Sequence, residues 1–146
     1  RTMLRLAETR HTIGVVDDQT GSPTYAPHLA EAILTVAGLL AKRNADDVCW
    51  GIYHATGTGE TTWCGLAREV FTLSSSRGGP SANVNQIATS AYPTPARRPA
   101  NSRLVGDKLR RTFGVTLPHW QDGAAACVAE LVGDVSKHSQ ATFGEK

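Results

Sequence analysis

Residues Val48 to Ala55 constrain the fold more than any other stretch. They read Val-Cys-Trp-Gly-Ile-Tyr-His-Ala. Val48, Trp50 and Ile52 make one alternating set; Cys49, Tyr53 and Ala55 make the other. Successive side chains of a strand point to opposite faces, so a strand that is apolar on both sets needs cover on both, as in a parallel sheet. No second strand of this two-sided kind occurs among the 146 residues. The pattern therefore implies sheet neighbours outside this sequence. The first residues point the same way. Met3, Leu4, Leu6 and Ala7 are spaced like the buried face of a helix, yet no capping residue precedes them. Both signs fit a portion of a larger α/β protein.

The remaining elements alternate in the same manner. Ile13 to Val16 reads as a short strand, and Asp17 to Pro23 as a loop of carboxylates, hydroxyls, a glycine and a proline. Thr24 is placed to cap a helix, with Pro27 in its first turn, where backbone donors have no partner anyway. Leu29, Ile33, Val36, Ala37 and Leu40 carry that helix to about Lys42. A second helix runs from Trp63 to about Leu73, capped by Thr61 or Thr62. Val84 to Ser90 is strand-like. Pro93, Pro95 and Pro99 hold the following segment extended. Asp107 to Phe113 is a short helix closed by Gly114, and a last helix spans about Trp120 to Val132. Residues 1–132 thus form one unit that includes the strand near 48–55. Residues 133–146 read as a flexible tail.

Charge and composition exclude some classes. The net charge is +2, with basic residues adjacent only at Arg97-Arg98 and Arg110-Arg111, too weak a balance for nucleic acid. No apolar run has the roughly 18–20 residues of a membrane span. The three cysteines, Cys49, Cys64 and Cys127, show no C-x-x-C spacing, which suits reduced thiols in a cytoplasmic protein. Each lies in an apolar pattern and reads as a small core residue.

Several groups are of the types that carry chemistry. Gly57-Thr58-Gly59-Glu60-Thr61-Thr62 mimics a dinucleotide fingerprint, but threonine stands at the third glycine and Glu60 would repel a diphosphate. It reads as a connection. Tyr25, Tyr53 and Tyr92 are followed four residues later by Leu29, Gly57 and Ala96, so no Tyr-x-x-x-Lys exists to lower a phenol pKa for proton transfer. The five histidines form no ligand spacing, and His54 reads as a core residue of the buried strand. Trp63 and Trp120 read as packing anchors. Adjacent Asp17 and Asp18 point to opposite sides at a strand end and make a poor acid/base pair. Arg97-Arg98-Pro99 offers a guanidinium fork on a stiffened backbone, with Asn101 and Ser102 as nearby donors. Its alternative is a solvated basic turn. The run Gln19-Thr20-Gly21-Ser22-Pro23-Thr24 enters a helix N-terminus and can present backbone donors to an anion or sugar; its alternative is a turn and a cap.

Two runs carry a family resemblance: Val15-Val16-Asp17-Asp18-Gln19-Thr20-Gly21-Ser22-Pro23-Thr24-Tyr25, and Pro93-Thr94-Pro95-Ala96-Arg97-Arg98-Pro99-Ala100-Asn101-Ser102-Arg103-Leu104. They resemble the second half of the dTDP-4-dehydrorhamnose reductases, which are extended short-chain dehydrogenases, from about Arg1 to Val132. The resemblance implies an α/β fold: a small substrate lobe plus remnants of a Rossmann-type parallel sheet. It implies reduction of dTDP-4-dehydro-6-deoxy-L-mannose to dTDP-L-rhamnose by NADPH. The glycine fingerprint and Tyr-x-x-x-Lys would then lie upstream. It implies a dTDP-sugar as partner and a homodimer for the full-length protein. The implied substrate-binding residues are Gln19, Ser22, Thr24, Arg98, Asn101 and Ser102, with Arg98 matching the arginine of an Arg-Pro-x-Asn-Ser-x-Leu pattern. Some members use magnesium at a dimer interface; no acidic cluster here supports one. Two rivals remain. The regulatory subunit of methionine adenosyltransferase shares the fold without catalysis. A polyanion-binding module could use Arg97, Arg98, Arg103, Lys108, Arg110 and Arg111.

With neither motif present, the 146-residue chain by itself should reduce no dTDP-4-keto sugar and should hold NADPH weakly. An NADPH-oxidation assay on the purified chain checks this, and measurable turnover would contradict it.

Overall fold

A computed structural model describes residues 1–44 and 49–133. The elements in chain order are α1 (Thr2–Ala7), β1 (Thr12–Val16), β2 (Thr20–Gly21), α2 (Ala26–Leu40), β3 (Thr61–Thr62) and α3 (Trp63–Ser75). They continue with β4 (Asn83–Ile87), a 3-10 turn (Thr89–Ala91), α4 (Asp107–Phe113) and α5 (Trp120–Val132). β1 and β4 pair in parallel, from Thr12 opposite Asn83 to Val16 opposite Ile87. β2 and β3 form a second, antiparallel pair, with Thr20 opposite Thr62 and Gly21 opposite Thr61. The class is α/β with a parallel sheet, as the sequence implies.

The helices follow their local chemistry. Thr62 caps α3 by accepting from the Gly65 amide at 3.0 Å, which selects it over Thr61. Gly114 closes α4 at φ +69, a left-handed conformation that favours glycine. α2 is capped differently from the expectation. Tyr25 is its N-cap residue and offers no side-chain bond. Thr24 lies one residue too early, and its hydroxyl serves the neighbouring loop.

Two apolar clusters hold the elements. Leu4, Ile13, Ala67 and Phe71 pack α1, β1 and α3 together, with Val84, Leu131 and Val132 against them. Ala32, Cys49, Leu109, Phe113 and Leu117 join α2 to α4. Tyr53 packs on Phe113 with ring centroids 5.2 Å apart, and the Lys108 ammonium sits 4.3 Å above the Tyr53 ring. The buried Ser74 hydroxyl donates to the Pro80 carbonyl at 2.7 Å, so its burial leaves no polar group unmatched.

Among the described residues the expected strand near 48–55 does not form. Val48 lies outside the described residues; residues 49–55 are in no strand. A strand exists through its ladder, and residues 51–56 make no backbone-to-backbone hydrogen bond among the described residues. The Ile52 carbonyl takes the Lys108 ammonium at 3.0 Å instead, and the Cys49 carbonyl takes the Tyr53 hydroxyl at 2.5 Å. One alternating set is inside, with Cys49 at 3% exposure. The other is in solvent, with Trp50 at 66% and Ile52 at 84%. His54 is therefore exposed rather than a core residue. The sheet comes from β1 and β4, whose sequences looked less decisive. Cys49 and Cys64 are buried as expected, while Cys127 is only partly so. Trp120 is a buried anchor; Trp63 is 54% exposed.

Phe71, at 4% exposure, has no room to be replaced by solvent. Phe71→Ala should cost about 3–4 kcal/mol of unfolding free energy in a urea titration. Ile33→Ala, on the exposed face of α2, should stay within about 0.5 kcal/mol. Comparable losses for the two would contradict the core assignment.

Candidate functional site

The polar centre of the molecule is the loop that leaves β1. Asp17 and Asp18 splay to opposite sides, as neighbours at a strand end must. Asp17 accepts the Thr62 hydroxyl at 2.5 Å through one oxygen and the Gln86 amide at 2.8 Å through the other. Since Thr62 also caps α3, Asp17 ties the loop to that helix. Asp18 accepts the Thr89 backbone amide at 3.0 Å and the Thr89 hydroxyl at 2.5 Å. These bonds, the hydroxyl's first, hold the Asp18 carboxyl below its ordinary pKa. Gln19 donates its amide to the same Thr89 hydroxyl at 3.0 Å.

Thr20 then pairs on both sides. It stands opposite Thr62 in the β2–β3 ladder and forms a parallel bridge with Asn101. Its amide donates to the Ala100 carbonyl at 2.8 Å, and its carbonyl accepts the Ser102 amide at 2.9 Å. The chain thus leaves the loop at Thr89 and returns to it at Ala100. Between these feet the proline-rich segment arches over solvent, every residue from Ala91 to Ala100 exposed. Gly21 is needed at the crossing: a Cβ there would lie 2.8 Å from the Ser102 hydroxyl. Beside the crossing is a cavity of about 170 Å³, lined by Gln19, Gly21, Ser22, Thr62, Trp63 and Ser102 among others.

The candidate residues fall into two groups. Gln19, Ser22 and Ser102 meet at this cavity. Arg98 does not line it, but it is two residues from Ala100, so its Cα lies within roughly 7 Å of that foot. Arg98 is exposed and makes no hydrogen bond or ion pair among the described residues. The other expected donors are largely spent on the protein itself. Asn101 accepts both the amide and the Nε of Arg103 at 3.0 Å. The Ser102 hydroxyl donates to the Thr20 carbonyl at 3.2 Å. Thr24 accepts the Gly57 amide at 3.0 Å and lies beside the Ser22 carbonyl and the Thr56 hydroxyl. Sequence reasoning missed Trp63, half exposed at the cavity, and Glu60, whose carboxylate binds Arg103 at 2.6 Å.

A larger apolar hollow of about 470 Å³ lies between α1, α3 and α5. At its rim the Tyr25 hydroxyl donates to Glu130, and this bond raises the phenol pKa to about 12. Such a phenol is a poor proton donor near neutrality. The Cys64 thiol is pushed up by burial and then by the Asp17 charge.

The Gly57–Thr62 connection does not suit a dinucleotide. A Cβ at Gly57 would lie 2.4 Å from the Pro23 carbonyl, and one at Gly59 would lie 2.1 Å from His119 Nε2. Both glycines serve the protein's own close packing. The Gly57 and Thr58 amides are already used by Thr24 and by the Pro118 carbonyl. Among the described residues no group of three His, Cys, Asp or Glu could hold a metal ion. The basic set of the polyanion reading is also dispersed. Arg103 is paired with Glu60, Arg110 with Asp107 at 3.4 Å, and Lys108 is held by the Ile52 carbonyl. No helix among the described residues is long and apolar enough to cross a membrane.

Comparison with known proteins shows the family. The family model described as the RmlD substrate binding domain matches residues 1–132. A dTDP-4-dehydrorhamnose reductase of Sinorhizobium fredii is 43% identical over 130 residues, covering 89% of this chain and 44% of that protein. The Escherichia coli K12 reductase is 43% identical over 133 residues, covering 90% and 44%. Among solved structures, the reductase of Clostridium acetobutylicum superposes with a TM-score of 0.77 at 29% identity, over 89% of this chain and 42% of that one. The Bacillus anthracis reductase, solved in complex with NADP, gives 0.73 at 29% identity, over 88% and 42%. The chain thus spans less than half the length of these relatives.

The depressed pKa of Asp18 has a signed consequence. A carboxyl with a lower pKa in the folded state adds stability above its ordinary value of 3.8 and loses it as pH falls through and below that value. Asp18→Asn should therefore melt below the parent at pH 6, and the gap should narrow as pH falls toward about 3. Melting curves across that range test it. A gap that stays constant would mean the Thr89 bonds do not depend on the charge.

Proposed function

The chain belongs to the RmlD substrate-binding domain family, and from that premise we propose that it is the nucleotide-sugar-binding portion of a dTDP-4-dehydrorhamnose reductase. The reaction is reduction of dTDP-4-dehydro-6-deoxy-L-mannose to dTDP-L-rhamnose by NADPH. The hydride donor's site, the catalytic tyrosine and its lysine belong to polypeptide upstream. This chain's task is to hold the dTDP-sugar. Residues 1–132 are that unit, and the segment near 48–55 pairs with a strand of the upstream half. The backbone of residues 51–56, unladdered among the described residues, and the solvent-facing Ile52 support that pairing.

One observation carries the reading: Thr20 holds the arch bearing Arg98 against the loop bearing Gln19 and Ser22. An exposed guanidinium without a partner among the described residues is available to a diphosphate. The cavity beside Ser22 and Ser102 offers hydroxyls and an apolar indole face, which suits a sugar or base. Asn101, Ser102 and Thr24 act mainly by fixing this arrangement.

A charge-assisted bond to diphosphate is worth about 1.5–3 kcal/mol. Arg98→Ala in the full-length gene product should then weaken dTDP-sugar binding by about one to two powers of ten. Arg97→Ala should do much less, and NADPH affinity should hardly change. Isothermal titration with dTDP-rhamnose and with NADPH separates these outcomes. Equal and negligible losses for both arginines would leave a solvated basic turn.

A further inference from the structure

Arg98 can bind a diphosphate only if its arch is held in place, and the arch has little structure of its own. Its first foot is fixed by Asp18 and Gln19 acting on Thr89. Its second foot has the Thr20 ladder, the Ser102 hydroxyl on the Thr20 carbonyl, and Arg103. Arg103 donates from its backbone amide and its Nε to the Asn101 side chain, folding back on the foot, while its Nη1 reaches Glu60 at 2.6 Å. The other end of that ion pair stands on fixed backbone. Thr58 is bridged to His119, with its amide on the Pro118 carbonyl and its carbonyl on the Trp120 amide, both at 3.0 Å. Gly59 is packed against the His119 ring, and Thr61 pairs with Gly21. Glu60 therefore projects from a connection locked on both sides, toward Arg103 just beyond the second foot.

Resting on the reading of Arg98 above, we propose that Glu60 is a positioning residue for the diphosphate-binding arch, acting through Arg103 and Asn101. The ion pair clamps the downstream foot. It also neutralises Arg103, so that the unpaired positive charge of the arch is concentrated at Arg97 and Arg98. Glu60 touches no ligand. A carboxylate that would repel a dinucleotide if the glycine loop were a phosphate cradle is instead placed where its charge orders the arginine segment. Both partners are about half exposed, at 45% and 56% of their side chains, so the effect is modest.

The test uses the full-length gene product with dTDP as probe. Glu60→Gln should weaken dTDP binding about two- to fivefold, the loss appearing in KM for the sugar substrate rather than in kcat. The charge exchange Glu60→Arg with Arg103→Glu should recover most of it. In an Arg98→Ala background, Glu60→Gln should add nothing, because the arginine it positions is gone. A full, additive loss in that background would overturn the proposal. So would tighter dTDP binding by Glu60→Gln, which would make Arg103 a ligand that Glu60 holds back. If Arg98→Ala alone has no effect, the reading of Arg98 fails first. Amide hydrogen exchange at Ala100, Ser102 and Arg103 then decides the clamp itself. Faster exchange there in Glu60→Gln sustains it, and unchanged exchange refutes it.

Discussion

Thr20 is the hinge on which the rest of the structure depends. One residue pairs with Thr62 on one side and bridges Asn101 on the other. Through the first it fixes the loop to the start of α3; through the second it gathers in a segment 82 residues away, as the Ser102-to-Thr20 bond records. Backbone hydrogen bonds do this work, so side-chain identity at Thr20 matters less than the ability of Gly21 to pass under the Ser102 hydroxyl. The carboxylates on either side add directional anchors. Asp17 holds the α3 cap and Asp18 holds the start of the arch. A short loop therefore organises three distant parts of the chain. A ligand-binding segment built this way is preordered at both ends and open in the middle.

Much of this was legible before the structure. The helices announced themselves by apolar spacing, by a cap at Thr61 or Thr62 and by Gly114 as a stop. The opposition of Asp17 and Asp18 follows from strand geometry alone. The segment 49–55 shows where such reasoning fails. Its two-sided apolar pattern records an environment that needs a neighbour, and among the described residues no strand pairs with residues 51–55. His54 is exposed for the same reason: its burial needs that sheet. β1 and β4 pair well despite ordinary sequences, because α1 and α3 supply the apolar surface that orders them.

The site was legible in composition but not in arrangement. Asn101 and Ser102 looked like donors for a ligand, yet they close the arch on Thr20 and Arg103. Glu60 looked only like a repulsive charge beside a glycine-rich loop. Its partner Arg103 lies 43 residues on, and an ion pair between two loops leaves no local signal. Trp63 sits where a helix start usually buries an aromatic ring, but stays half open on the cavity. These are properties of tertiary placement, and among the described residues they separate the exposed Arg97 and Arg98 from Arg103, which the protein uses for itself.

The central claim is that the Thr20 crossing builds a diphosphate site from the Gln19–Ser22 loop and the Arg98 arch. A crystal structure of the full-length gene product with dTDP-rhamnose tests it most directly. The account predicts a diphosphate oxygen within about 3 Å of the Arg98 guanidinium, the sugar nucleotide reaching the cavity of Ser22 and Ser102, and the Thr20–Asn101 bridge intact. A diphosphate bound elsewhere, with Arg98 still in solvent, would contradict it.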